Sequence, residues 1–293
     1  MGLLTVVGDS QRPGRGRGPV GQVRGVLHRL GRRPVKGLGQ HFLVDTGVLQ
    51  HILSAAELGP QDVVVEVGPG LGVLTRALAH RAGRVVAVEL DASLAEALRG
   101  EMAPFPQVEV VLGDILHMPP AALVAGAAYK VVANIPYYIT SPILHHFLKA
   151  EHRPQLMVIM VQREVAEAIA APPGKLGVLG ISVQLYARPQ VVAYVSPRSF
   201  YPAPRVESGL LRLEVLPRPA VDVEPEDFLN LVGAGFAAPR KQLRNSLAQG
   251  LGVEPAAAVE ALRRADISPE RRPQTLSLEE WARVWGALGR GRG

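Results

Sequence analysis

No cysteine occurs in the 293 residues, which excludes disulfide frameworks and thiolate zinc sites and is compatible with a reducing compartment. No apolar run approaches the roughly 20 residues of a membrane helix, so no membrane partner is expected. The N-terminus is rich in Arg and Gly but has no apolar signal core, and a cytoplasmic location is the expectation. Metal-ligand spacing is also missing: His145 and His146 are adjacent, His51 and His80 are isolated, and no His-Glu-x-x-His pattern occurs. Metal catalysis is therefore not expected. Acidic residues are scarce at one end, since residues 1 to 40 carry Asp9 alone against Arg12, Arg15, Arg17, Arg24, Arg29, Arg32, Arg33 and Lys36.

That asymmetry decides how the formal charge of +6 is read. The rest of the chain holds 24 basic and 25 acidic residues, so the excess belongs to the N-terminal segment rather than to the body. Gly-Arg repeats between Pro13 and Gly18 resemble disordered arms that bind phosphate by counterion release, and a plain solvated tail fits them equally. Residues 1–35 are accordingly expected to be a basic, disordered extension. A hydrophobic content of 47% suits a globular body large enough for two domains.

From Gly37 onward short apolar runs alternate with helical patterns. Val63 to Val67, Arg84 to Leu90, Val108 to Leu112, Lys130 to Ala133 and Leu156 to Val161 read as strands. Such alternation implies βαβ units in a doubly wound parallel sheet. Val191 to Val195 and Gly209 to Val215 follow without a long helix between them, which predicts an antiparallel hairpin at one sheet edge. Leu216-Pro217-Arg218-Pro219 breaks the pattern like a linker. Beyond it Glu226 to Phe236, Arg240 to Gln249, Pro255 to Ala265 and Ser277 to Leu288 read as short helices, with Ser277 capping the last. The predicted division is an α/β domain over 36–216 and an all-helical domain over 217–293.

In such a sheet a ligand sits at the carboxyl ends of the strands. The first strand ends in Gly68, Gly70 and Gly72, the second in Glu89, the third in Asp114 and the fourth in Asn134. The run is G-x-G-x-G, with Val73 where a dinucleotide fingerprint needs its last glycine, and no Lys-Ser or Lys-Thr makes a phosphate loop. A glycine turn without a phosphate cradle suits S-adenosylmethionine, which has ribose and adenine but no pyrophosphate. Glu89 is placed to accept from both ribose hydroxyls, and Asp114 from an adenine amine.

Asn134-Ile135-Pro136-Tyr137 adds an amide, backbone carbonyls and a ring at the fourth strand end. The exocyclic amine of a purine is a poor nucleophile, because its lone pair is delocalised into the ring. Acceptance of its two N–H groups by the Asn134 side chain and the Ile135 carbonyl draws the nitrogen toward a tetrahedral shape. Tyr137 offers a face for the base, and Pro136 turns the backbone out of the ladder. Taken alone, the tetrapeptide is also compatible with an ordinary loop closing a buried strand.

Several segments in one order resemble the bacterial small-subunit ribosomal RNA adenine dimethyltransferase family. They are Gly39-Gln40-His41-Phe42-Leu43, Glu66-Val67-Gly68-Pro69-Gly70-Leu71-Gly72, Val88-Glu89-Leu90-Asp91, Gly113-Asp114, Asn134-Ile135-Pro136-Tyr137, Gln162-Arg163-Glu164-Val165, Ser199-Phe200-Tyr201-Pro202-Ala203-Pro204-Arg205-Val206 and Arg240-Lys241-Gln242-Leu243-Arg244-Asn245-Ser246-Leu247. The resemblance implies a Rossmann-like S-adenosylmethionine-dependent methyltransferase sheet with a small C-terminal all-helical domain. It implies methylation of N6 on two adjacent adenines in the 3′-terminal hairpin loop of 16S rRNA, within the 30S subunit or its precursor. A monomer is the expectation, because such a fold needs no partner to complete its core. The cofactor residues would be His41, Leu43, Gly68, Glu89, Asp114 and Asn134. The catalytic residues would be Asn134, Tyr137 and Phe200, with Phe200 on the second base face and a core position as its alternative. His41 departs from the family's usual Asn, although an imidazole donates a hydrogen bond as an amide does. Arg240, Lys241 and Arg244 are expected on one side of a helix as RNA contacts, with Leu243 and Leu247 on its packed side. Two other functions stay open: a resistance-type 23S rRNA adenine methylase, and a non-catalytic ribosome-assembly or nucleic-acid-binding factor.

Overall fold

The computed structural model describes residues 6–7, 19–34 and 39–289. Its elements run β1 (Val6–Val7), α1 (Pro19–Arg29), β2 (Phe42–Leu43), α2 (Thr46–Ala56), β3 (Val63–Val67), α3 (Val73–Ala79), β4 (Arg84–Glu89), α4 (Ala92–Met102) and β5 (Val108–Leu112). There follow α5 (Pro120–Leu123), β6 (Tyr129–Asn134), α6 (Thr140–Leu148), β7 (Leu156–Gln162), α7 (Arg163–Ile169), α8 (Val178–Gln184), β8 (Ala187–Val195), β9 (Phe200–Tyr201) and β10 (Ser208–Val215). The chain closes with α9 (Pro225–Gly235), α10 (Leu243–Leu251), α11 (Pro255–Arg264) and α12 (Leu278–Gly289). Among the described residues no helix is long and apolar enough to cross a membrane.

Eight strands form one sheet in the order β1-β8-β10-β7-β6-β3-β4-β5. Pairing is parallel from β7 through β6, β3 and β4 to β5, while β10 runs antiparallel to β7. This is a Rossmann-like sheet. Leu156 to Val161 are buried along their whole length, because helices and neighbouring strands remove both faces of β7 from water and a continuous apolar run is the sequence that tolerates this. Met157 and Met160 are fully buried core residues within it. One layer of the core joins Val64, Val85, Val132, Val158 and Met160 of the sheet to Val48, Ile52 and Ala56 of α2 and to Leu74 and Leu78 of α3. The chain leaves β3 toward β4 and β5 on one side and later adds β6 and β7 on the other. The gap between β3 and β6 is therefore the topological switch point, where a crevice forms.

Two compact units emerge. The first comprises residues 1–166 and 190–215; the second comprises 167–189 and 216–293. The segment 167–189, read from sequence as part of the α/β domain, groups with the C-terminal helices: Gly174 N donates to the Gln274 carbonyl at 2.9 Å, and Leu216 N and Ala220 N donate to Tyr186 and Leu185 carbonyls at 2.8 Å. In that second unit α10 begins at Leu243, so Arg240 and Lys241 lie in the turn before the helix and not on its face. Leu243 and Leu247 are buried as expected. Ser277 and Glu280 cap α12 reciprocally, with Glu280 N donating to Ser277 Oγ at 3.2 Å and Ser277 N donating to Glu280 Oε2 at 2.8 Å.

The N-terminal extension also differs from expectation. Pro19–Arg29 is helical, and Val23 and Leu27 are buried against Phe42. Apolar residues four apart give a stripe that can be buried, and this outweighs the Gly-Arg composition of the segment as a whole. The repeats between Pro13 and Gly18 lie outside the described residues.

Candidate active site

The carboxyl ends of β3, β4, β5 and β6, together with β2, line a cleft of about 310 Å3. The glycine turn after β3 forms its floor. Gly68 and Gly70 have φ of +65° and +56°, a region that costs a residue with a Cβ. A Cβ on Gly68 would meet nothing within 4 Å, whereas one on Gly70 would come 3.0 Å from the Phe42 ring. The first glycine thus leaves open space toward a ligand, and the second permits close packing of β2 onto the turn.

Glu89 ends β4 and is 7% exposed. Its carboxylate accepts from Gly70 N through Oε2 and from Asp91 N through Oε1, both at 3.0 Å. Burial raises its pKa, and these two amides oppose the rise. Glu66, one residue inside the end of β3, is 1% exposed. Burial pushes its pKa up to about 8, with the Thr75 hydroxyl opposing and the Glu89 charge adding to the rise. Glu66 Oε2 has no hydrogen-bond partner, so an acceptor on the cleft wall is left over. Asp114 is anchored as the cap of a short 3-10 turn, its Oδ1 accepting from Leu116 N at 3.0 Å.

Asn134 closes β6. Its Nδ2 donates to the His41 carbonyl at 3.0 Å, which uses the amide's donor end and turns Oδ1 away as an acceptor. His41 lines the cleft as well. Its Nδ1 lies 2.6 Å from the Pro202 carbonyl and therefore carries the proton of that bond. The imidazole ring lies 6.0 Å from the Tyr137 ring at an interplanar angle of 24°, and the Tyr137 hydroxyl is bonded to Ser208 Oγ at 2.7 Å. Tyr137 is thus pinned at both ring and hydroxyl, and burial raises its pKa against the opposing Ser208 bond.

The cleft brings together His41, Leu43, Gly68, Glu89, Asp114, Asn134 and Tyr137. It does not include Phe200. That side chain is 3% exposed in the main core, because β9 pairs antiparallel with β2 and the register sets Phe200 opposite Leu43 on the inward face. Residues not singled out from sequence also line the cleft, notably Glu66, Asp91 and Tyr138. Glu66 carried a signal, a carboxylate inside an otherwise apolar strand; exposed Tyr138, the second tyrosine of a pair, carried none. Arg240, Lys241 and Arg244 belong to the second unit, where Arg244 pairs with Glu270 at 3.5 Å.

Glu66, Glu89, Asp91 and Asp114 line the cleft, and no Lys or Arg does among the described residues; with the Glu66 carboxyl raised to about 8 and Asp91 paired with Arg32, Glu89 and Asp114 keep the wall acidic. Such a wall repels a pyrophosphate and suits a nucleoside bearing positive charge. Glycine-backed space beside Gly68, the buried Glu89 carboxylate and a wall without Lys or Arg together fit S-adenosylmethionine, which brings a ribose and positive charge but no pyrophosphate.

Comparison with known proteins agrees with this chemistry. The family model for ribosomal RNA adenine dimethylase matches residues 33–285. The ribosomal RNA small subunit methyltransferase A of Dehalococcoides mccartyi strain 195 is 48% identical, over 89% of this chain and 90% of that protein. The protein of that name from Moorella thermoacetica is 45% identical, over 90% and 96%. Among solved structures, the 23S rRNA methyltransferase ErmE is 31% identical, with a TM-score of 0.69 over 85% of this chain and 99% of that one. A dimethyladenosine transferase from Plasmodium falciparum, 22% identical, shares the fold with a TM-score of 0.73 over 85% and 98%. The chain belongs to the ribosomal RNA adenine dimethylase family.

Proposed function

We propose that the protein transfers methyl groups from S-adenosylmethionine to N6 of two adjacent adenines in the 3′-terminal hairpin loop of 16S rRNA, giving N6,N6-dimethyladenosine. The observation that carries the reading is Asn134: its donor end is held by the His41 carbonyl, so its acceptor end serves an amine beside a cleft built for a cationic nucleoside. S-adenosylmethionine supplies a methyl group made electrophilic by the sulfonium. Glu89 accepts from the ribose, Asp114 from the cofactor's adenine amine, and Gly68, Leu43 and His41 shape the wall around it.

The remaining work is alignment and charge stabilisation. In the first transfer Asn134 Oδ1 and the Ile135 carbonyl accept the two N6 hydrogens, in the second one of them accepts the hydrogen that remains, and Tyr137 supports one face of the target base. No strong base is needed, because N6 becomes cationic and acidic once methylated and its proton passes to water. A loop adenine must unstack to enter, which costs a few kcal/mol. Arg240, Lys241 and Arg244 contact RNA phosphate. The protein acts as a cytoplasmic monomer on the 30S subunit or its precursor.

The test is methyl transfer from labelled cofactor to unmethylated 30S particles and to 23S rRNA, with the product mapped. Label at paired adenines of 16S rRNA is expected. Label in 23S rRNA alone supports the second reading, which the 31% identity to ErmE keeps in view. Asn134→Ala is expected to lower turnover by about 10²-fold or more with particle binding retained; full turnover in that variant removes the role assigned to Asn134.

A further inference from the structure

Glu89 is held by two backbone amides, and both are backed by the segment that precedes the family match. On one side, Leu27 and Val23 of α1 bury Phe42, whose ring packs over Gly70, and Gly70 N donates to Glu89 Oε2. On the other, Arg32 Nη2 donates to Asp91 Oδ2, and Asp91 N donates to Glu89 Oε1. Asp91 is fixed further as the cap of α4, with Oδ1 accepting from Ser93 N and Leu94 N at 2.9 and 3.1 Å. A third attachment is the Arg24 guanidinium, 4.9 Å above the Tyr201 ring. The helix and Arg32 therefore grip the loop on each side of one carboxylate.

We propose that α1 and Arg32 form a strap belonging to the cofactor site, and that Arg32 is a positioning residue that holds Glu89 for the ribose through Asp91. The inference rests on the cofactor reading of the cleft and extends it to a segment outside residues 33–285. An ion pair that only tethered the N-terminus would change stability and leave ligand selectivity alone. A strap acting through Glu89 changes recognition of the ribose hydroxyls in particular.

Calorimetric titration of the full chain with S-adenosylhomocysteine and its 2′-deoxy analogue separates the two. Arg32→Ala is expected to weaken the ribose-bearing ligand about tenfold, the size of one lost charge-assisted bond, and the deoxy analogue much less. Arg32→Lys restores most of the loss. In a Glu89→Gln background Arg32→Ala adds nothing further, since coupled residues are not additive. Leu27→Ala, which loosens Phe42 without touching a charge, moves affinity in the same direction. Equal weakening of both ligands, or unchanged affinity in Arg32→Ala and Leu27→Ala while Glu89→Gln binds poorly, overturns the strap. If Glu89→Gln itself binds both ligands normally, the cofactor role of Glu89 fails first and the strap fails with it.

Discussion

At the scale of single residues the cleft is governed by what burial does to charge. Glu66 sits 1% exposed with an unpartnered oxygen, and its carboxyl is raised to about 8. A raised carboxyl contributes stability that is complete below its unfolded value and is lost as pH rises through the folded one. Between pH 5 and pH 8 the ligand-free protein should therefore lose about 1.4 kcal/mol per pH unit from this group. Glu66→Gln is neutral throughout and should flatten that dependence in urea unfolding; an unchanged slope contradicts the assignment. Polar strand ends such as Glu89 and Asn134 were legible because a carboxylate or amide closing an apolar run has little packing reason to be there. The orientation of Asn134 was not legible, since its partner is a carbonyl 93 residues away. Of the two positions left open for Phe200, the structure has the core one: a ring beside two prolines suits a core or a cleft equally, and the β2–β9 register sets it inward.

At the scale of elements the glycines, caps and turns decide where helices begin and meet. Ser246 is fully buried, donates to the Gly235 carbonyl at 2.6 Å and accepts from Ala238 N at 2.9 Å. It thereby joins the end of α9 to α10. Ser246→Ala strands both backbone groups and should cost about 1–3 kcal/mol. Both tryptophans, Trp281 and Trp285, lie in α12 of the same unit, so tryptophan fluorescence during urea unfolding reads this transition directly. A change below about 0.5 kcal/mol would show that Ser246 is not the tie. The C-terminal helices were recognised from their periodicity, yet α10 starts three residues later than read. Residues 237–242 form a turn whose Ala238 amide is satisfied by Ser246 and not by the helix, a long-range bond that periodicity does not report.

For the whole molecule, the formal charge of +6 says little about where RNA binds, because the body is nearly neutral and the cleft at its strand ends is lined by acidic groups with no Lys or Arg among the described residues. RNA affinity should instead depend on local clusters. Replacing Arg240 and Lys241 by Ala should weaken binding to 16S rRNA fragments similarly for all sequences. It should also lower the salt slope of log K by roughly 0.7–0.9 for each phosphate that these side chains neutralise. An unchanged slope in filter-binding titrations would exclude them as phosphate ligands. The sequence alone determined the doubly wound sheet, the glycine floor and the polar groups that close its strands. Strand burial, positive φ and the chemistry of strand ends are local properties written in consecutive residues. Tertiary structure decided the assignment of 167–189 to the helical unit, the retreat of Phe200 into the core and the grip of α1 and Arg32 on the loops around Glu89. Each of these depends on residues far apart in the chain meeting in space, and such meetings follow from register and packing, which no local pattern encodes.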